Sequence, residues 1–147
     1  MEFAGFFRRF FAWLIDHLAM FVLVLLLMLA LGALLAQIGN IESDILAVLA
    51  GLLACVVFGM LFVFQFIYFG YFWSKSGQTV GMKLLDVKVV RQGDEAPLSF
   101  WRAAFRGTIG YYVSGLIFSL GFIWAAFDGQ KEAWHDKLFD TWVVRSE

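Results

Sequence analysis

The sequence predicts an all-α integral membrane protein. The expected architecture is a small helical bundle with a transmembrane hairpin, a third span or a folded-back helix pair, and a short two-stranded β element on the cytoplasmic side. Three observations predict it. Hydrophobic residues make up 62 % of the 147 positions, against about 45–50 % in soluble domains. Charged residues are 16 %, where about 25 % is usual. Three stretches free of Asp, Glu, Lys and Arg come close to or exceed the roughly 20 apolar residues that cross a bilayer. At a mean hydropathy of +0.81, a soluble globule of this size has too little interior for its apolar surface. A single proline and a single cysteine exclude collagen-like and disulfide-scaffold classes. A net charge of −1 gives no ground for a nucleic-acid partner.

The first helix is expected over about residues 6–36, with Leu18–Ala36 as its uncharged stretch. At 1.5 Å per residue such a helix is about 45 Å long. That exceeds the hydrocarbon core, so its start lies among the headgroups or the helix tilts. A signal peptide is the competing reading, with Arg8 and Arg9 as its basic start and Ala33–Ala36 as a loose cleavage site. The apolar run is too long for that role and Asp16 interrupts it. The second helix is expected over about 45–73. Its small residues Ala47, Gly51 and Cys55, and likewise Ala50 and Ala54, recur every four positions, which suits close helix packing. Aromatic residues from Phe62 to Trp73 crowd its end as interfacial anchors and core.

The connecting segments set the orientation. Gln37–Asp44 carries only acidic charges, Glu42 and Asp44. The linker over 74–98, the helical region over 99–127 and the tail over 128–147 carry nine of the basic residues. The positive-inside rule therefore puts the N-terminus and the linker in the cytoplasm. The helical region starts at Ser99 after Pro97, with Arg102 and Arg106 marking an interfacial amphipathic piece, and a break is possible at Ser114-Gly115. It either spans or folds back. Asp86–Arg91 alternates polar and apolar residues, and Asp140–Arg145 is β-branched and aromatic, so the two are expected to pair as strands. That pairing needs the tail on the cytoplasmic side and favours folding back. Residues 1–147 are read as one membrane domain.

Asp16 is the most informative ionisable residue. A charge near the middle of a membrane helix costs about 2.5–3.5 kcal/mol on insertion scales, so such residues face a bundle interior and commonly serve function. Arg9 lies two turns earlier on the same face. Gln65 stands at a similar depth in an antiparallel hairpin and is the expected partner of the carboxylate, either within an ion site or through a single interhelical hydrogen bond. Asp16 itself is read either as a structural anchor or as a proton or cation site. His17 reads as a packed or interfacial histidine. His135-Asp136 reads from spacing as a capping or solvated turn. No Walker loop, zinc spacing or nucleophile elbow is present, so no enzyme, cofactor or metal site is expected.

These residues also carry a resemblance. Arg9-Phe-Phe-Ala-Trp-Leu-Ile-Asp16, Gly77-Gln-Thr-Val-Gly-Met-Lys-Leu-Leu-Asp-Val-Lys-Val-Val90, Pro97-Leu-Ser99 with Arg102 and Arg106, and His135-Asp136-Lys-Leu followed by Thr141-Trp-Val-Val144 resemble, in order, the motifs of the RDD family of prokaryotic membrane proteins. That family is named for one arginine and two aspartates. The resemblance implies Asp136 as the second aspartate, with Asp128 as the alternative, and His135 as a supporting residue. The chain departs at Met82, where a basic residue is common, and at Phe139-Asp140, where Ala-Gly is common. The resemblance further implies a bacterial cytoplasmic-membrane protein, with transport, including sodium–proton antiport, suggested for some members. The resulting expectation is an oligomeric transporter or channel-like protein for protons or monovalent cations, working at Asp16, Arg9, Gln65 and Asp136. The rival is a non-transporting accessory or assembly protein whose polar residues lock the fold. An enzyme acting on lipids is a third reading.

Overall fold

A computed structural model of the chain describes residues 2–37 and 43–146. The acidic linker expected over Gln37–Asp44 falls largely on 38–42, outside the described residues. Two long apolar helices dominate, α1 (Phe6–Ala36) and α2 (Ser43–Lys75). Each is long and apolar enough to cross a membrane. Short elements follow: α3 (Val80–Leu84), β1 (Val87–Arg91), α4 (Phe100–Phe105), α5 (Tyr111–Gly115), α6 (Leu120–Ile123), α7 (Trp134–Leu138) and β2 (Thr141–Arg145).

The chain divides into two compact units. One, His17–Phe64, consists of the apolar stretches of α1 and α2. Among its described residues only Val57 is buried, which is what side chains facing lipid require. A methyl group added at Gly51 or Gly59 would meet nothing within 4 Å among the described residues, so the small-residue stripe is open at these two positions.

The other unit comprises Met1–Asp16 and Gln65–Glu147. Its core holds Phe69 and Trp73 of α2, stacked with ring centroids 4.5 Å apart. Val87, Val89, Val143 and Val144 come from the sheet, and Ala103, Ala104 and Tyr111 from the α4–α5 segment. The expected strands pair antiparallel, Val87 opposite Arg145 and Arg91 opposite Thr141. β2 is the middle strand, because residues 2–4 add along its free edge. Ala4 N–H donates to Val143 O and Arg145 N–H to Glu2 O, each at 2.9 Å, and Phe3 bridges Val144. The strands begin after Asp86 and Asp140, both left-handed at φ 51° and 48°. That conformation favours glycine, which accounts for Asp140 standing where glycine is common among the resembling sequences.

The region over 99–127 folds back. Ser99 caps α4 by accepting from Arg102 N–H, as its position predicts. A π-turn over Arg106–Gly110 leads into α5. The chain then bends by 107° between Phe100–Gly115 and Leu120–Ala126. The bend sits slightly beyond the expected Ser114-Gly115 break, at Phe118 and Ser119, which are left-handed at φ 47° and 60°. Gly121 makes the return possible, since a Cβ there would lie 2.5 Å from Ser114 Cα.

Candidate functional site

Two buried carboxylates organise the polar interior of the second unit. Asp16 is 3 % exposed and lies on α1 beside the loop before α3. Its Oδ1 accepts the Tyr68 hydroxyl at 2.8 Å and the Gly81 amide at 2.9 Å. Its Oδ2 accepts the Thr79 hydroxyl. Thr79 is also the N-cap of α3 and accepts from Met82 N–H, while Tyr68 accepts from Val80 N–H at 3.3 Å. One carboxylate therefore fastens α1, α2 and the start of α3. Gly81 is required by this approach, because a Cβ there would sit 2.3 Å from Ala12 O.

The expected partnership of Asp16 with Gln65 is not found. Gln65 Nε2 donates to the Gly107 carbonyl at 2.8 Å. It stands three residues before Tyr68, nearly one turn away, and it is the longer reach of tyrosine that meets the carboxylate. The carbonyl it satisfies lies in the π-turn, where the regular backbone ladder is interrupted.

Arg9 does share the buried face of α1, but its partner is Asp136. The two guanidiniums of Arg9 and Arg106 grip opposite oxygens of that carboxylate, Arg9 on Oδ2 and Arg106 on Oδ1. Arg9 also donates to Lys131 O. Arg106 donates through Nε to Thr141 Oγ1 at 3.0 Å and lies over the Trp73 ring, 4.4 Å from its centroid. Asp136 further accepts Ala133 N–H at 2.9 Å. Burial opposes ionisation of Asp136, but the two guanidiniums outweigh it and hold the carboxyl well below the usual carboxylate range. Asp136 is 0 % exposed and Arg106 1 %. The capping role expected of Asp136 is present, whereas a solvated turn is not. Arg106, expected at the interface with Arg102, is instead buried, 1 % exposed, although its backbone N–H continues the α4 ladder to Arg102 O.

His135 is buried beside this cluster. Its Nδ1 lies 2.9 Å from Ser114 Oγ, and its Nε2 lies 3.6 Å from Asp136 Oδ1. Burial pushes the imidazole down to about 3, with Arg106 and Arg9 adding to the effect and Asp136 opposing it. The ring is therefore neutral at neutral pH. Asp128 stands apart from the cluster. It accepts Gln130 and Glu132 amides and pairs with Lys137, an exposed turn that lowers its pKa chiefly through the lysine. His17 belongs to the apolar unit and is half-buried there.

Sequence reading missed Tyr68, Thr79, Gly81, Ser114 and Thr141 as partners. Thr79 carried the one legible signal, a threonine opening the short helix that begins at Val80. Among the described residues no three His, Cys, Asp or Glu side chains gather as a metal site.

A family model described as the RDD family matches residues 3–140. The chain is 31 % identical over 152 residues to a protein of Bacillus subtilis (strain 168) named "Uncharacterized protein YxaI", with 96 % of each chain covered. No solved structure shows a significant match.

Proposed function

The chain belongs to the RDD family, and from that premise we propose a multi-pass protein of the bacterial cytoplasmic membrane that acts as a non-enzymatic accessory or assembly protein, its buried carboxylates locking the fold. The observation that carries this reading is the saturation of Asp16. Three donors, one from α2 and two from α3 and its N-cap, occupy its two oxygens, so an incoming cation would have to displace hydrogen bonds that hold α1, α2 and α3 together. The sheet supports a cytoplasmic N-terminus and tail. Residues 2–4 and β1 each hydrogen-bond to β2, so all three segments lie on one side of a bilayer, and all 11 basic residues can then share the cytoplasmic face. The open small-residue stripe of α2 supports a homo-oligomer.

Proton or monovalent-cation transport, including sodium–proton exchange, is the second reading. It is favoured by the oxygen set at Asp16, where a carboxylate meets the Tyr68 and Thr79 hydroxyls, hard ligands for a hard cation. The deciding experiment places the purified protein alone in liposomes containing a pH-sensitive dye, under a sodium or potassium gradient. The accessory reading expects no flux above protein-free vesicles. Flux supported by the protein alone overturns it, and loss of that flux in Asp16→Asn assigns the exchange to Asp16.

A further inference from the structure

A partly open cavity of about 360 Å³ lies within the second unit, between the first two turns of α1 and the folded-back segment. Phe6, Phe10 and Trp13 of α1 and Phe122 and Ile123 of α6 line it. Arg9, Arg106 and His135 line it as well. An aromatic cavity with basic groups in its wall suits neither an apolar ligand nor a bare ion.

The charges around it do not balance. Two guanidiniums share the single carboxylate of Asp136, and His135 is neutral. The hydrogen-bonding groups do not balance either. Arg106 uses Nε and Nη2, while its buried Nη1 has no hydrogen-bond partner among the described residues. Buried donors are nearly always paired, and a buried charge without compensation is costly. The cluster is therefore short of one negative charge and one acceptor. The same folded-back segment exposes Phe118, Trp124 and Phe127 at its surface, an apolar rim that lipid chains would cover.

We propose that this cavity holds the head group of an anionic membrane lipid. Its phosphate lies against Arg106 and Arg9, and its glycerol and upper methylenes lie against Phe10, Trp13 and Phe122. Guanidinium groups match phosphate oxygens in charge and geometry, and basic pockets between membrane helices are a recurrent way of holding acidic head groups. The site is independent of whether the protein carries ions, and its test measures no flux.

The test uses the purified full chain in neutral detergent, titrated with dihexanoyl phosphatidylglycerol, dihexanoyl phosphatidylcholine and inorganic phosphate while the melting temperature is followed. Phosphatidylglycerol should raise it at a concentration at least about tenfold below that needed for phosphatidylcholine, as expected of one charge-assisted contact. Ile123→Trp fills the cavity and leaves both arginines in place. It should raise the phosphatidylglycerol requirement by a similar factor while the ligand-free protein melts as wild type does. Phe10→Trp is the second filling variant should the first not fold. Equal responses to the two lipids, or wild-type binding by a folded filling variant, overturn the proposal. An equal response to inorganic phosphate overturns the lipid and leaves a free-anion site.

Discussion

Arg9 and Asp136 are separated by 127 positions in the chain and meet as an ion pair in the interior of one unit. Because Arg106 holds the other oxygen of Asp136, the carboxylate joins the start of the first long helix, the folded-back region and the last helix at one point.

Removing that carboxylate leaves two guanidiniums without it. Asp136→Ala should cost about 3–5 kcal/mol, the usual penalty for breaking a buried pair. Arg106→Gln should cost more than Arg9→Gln, since the Arg106 side chain is 1 % exposed and that of Arg9 12 %. Thermal unfolding of the detergent-purified variants measures both, and a wild-type melting temperature for Asp136→Ala would refute the role.

Acidification should weaken the same region. His135 is held neutral to about 3 when folded, against about 6.5 in an unfolded chain. Between those values the unfolded state binds the extra proton, so stability is complete above about 6.5 and falls as pH drops through this window. Asp136, held low by Arg9 and Arg106, acts in the same direction only once the pH nears the ordinary carboxylate range. Melting temperature should be level from about pH 8 to 7 and decline below about 6.5, and His135→Gln should flatten that decline. An unchanged slope in the variant would sink this account.

At Asp16 the variants separate by donor count. Asp16→Asn keeps the shape but turns an NH2 group toward donors, so a cost of about 1–3 kcal/mol is expected. Tyr68→Phe removes the hydroxyl that donates to Asp16 and accepts from the exposed Val80 N–H, which water can satisfy, and should cost about 1 kcal/mol. Chemical unfolding in mixed micelles distinguishes them, and Tyr68→Phe proving the more damaging would contradict the placement of Asp16 at the centre.

Gly81→Ala should destabilise by roughly 1–3 kcal/mol, as overpacking does. The new methyl has Ala12 O at 2.3 Å, and moving α3 away would cost Asp16 its amide donor. Gly93→Ala is the control for added size: a Cβ there meets nothing, although φ of 96° makes the position strained. A fully stable Gly81→Ala protein would argue against close contact between α1 and α3.

Single cysteines at Glu2 and Ser146, in a Cys55→Ser background, should be protected together from an impermeant reagent added to intact cells. Glu2 and Arg145 pair as ions as well as through their backbones, so labelling of one position without the other would break the shared-side topology.

The parts legible in the sequence were those governed by local rules. Apolar length gave α1 and α2, alternation gave β1 and β2, and Ser99 gave the start of α4. The fold-back was legible as a possibility, but its bend rests on left-handed Phe118 and Ser119, and one serine in an apolar run is a weak turn signal. Asp16 stood out because a membrane carboxylate is costly, yet its partners come from α2 and the start of α3, whose approach to α1 no spacing encodes. Depth matching selected Gln65, and the structure selects Tyr68 on nearly the same face. Arg106 looked interfacial because it follows Arg102 by one turn, and what holds it inside, Asp136, Thr141 and the Trp73 ring, comes from distant parts of the chain.

The middle position of β2 has a consequence for synthesis. β2 follows every other element in chain order, so it leaves the ribosome after both of its neighbours. Until then residues 2–4 and β1 lack the strand with which each pairs, and both pairings are of long sequence separation and therefore slow to form. A nascent chain halted before Thr141 carries its long apolar helices with the sheet still open. Closure of the sheet thus requires that translation has passed β2, and a protease that recognises unpaired strands would discriminate chains truncated before Thr141 from those that carry the strand.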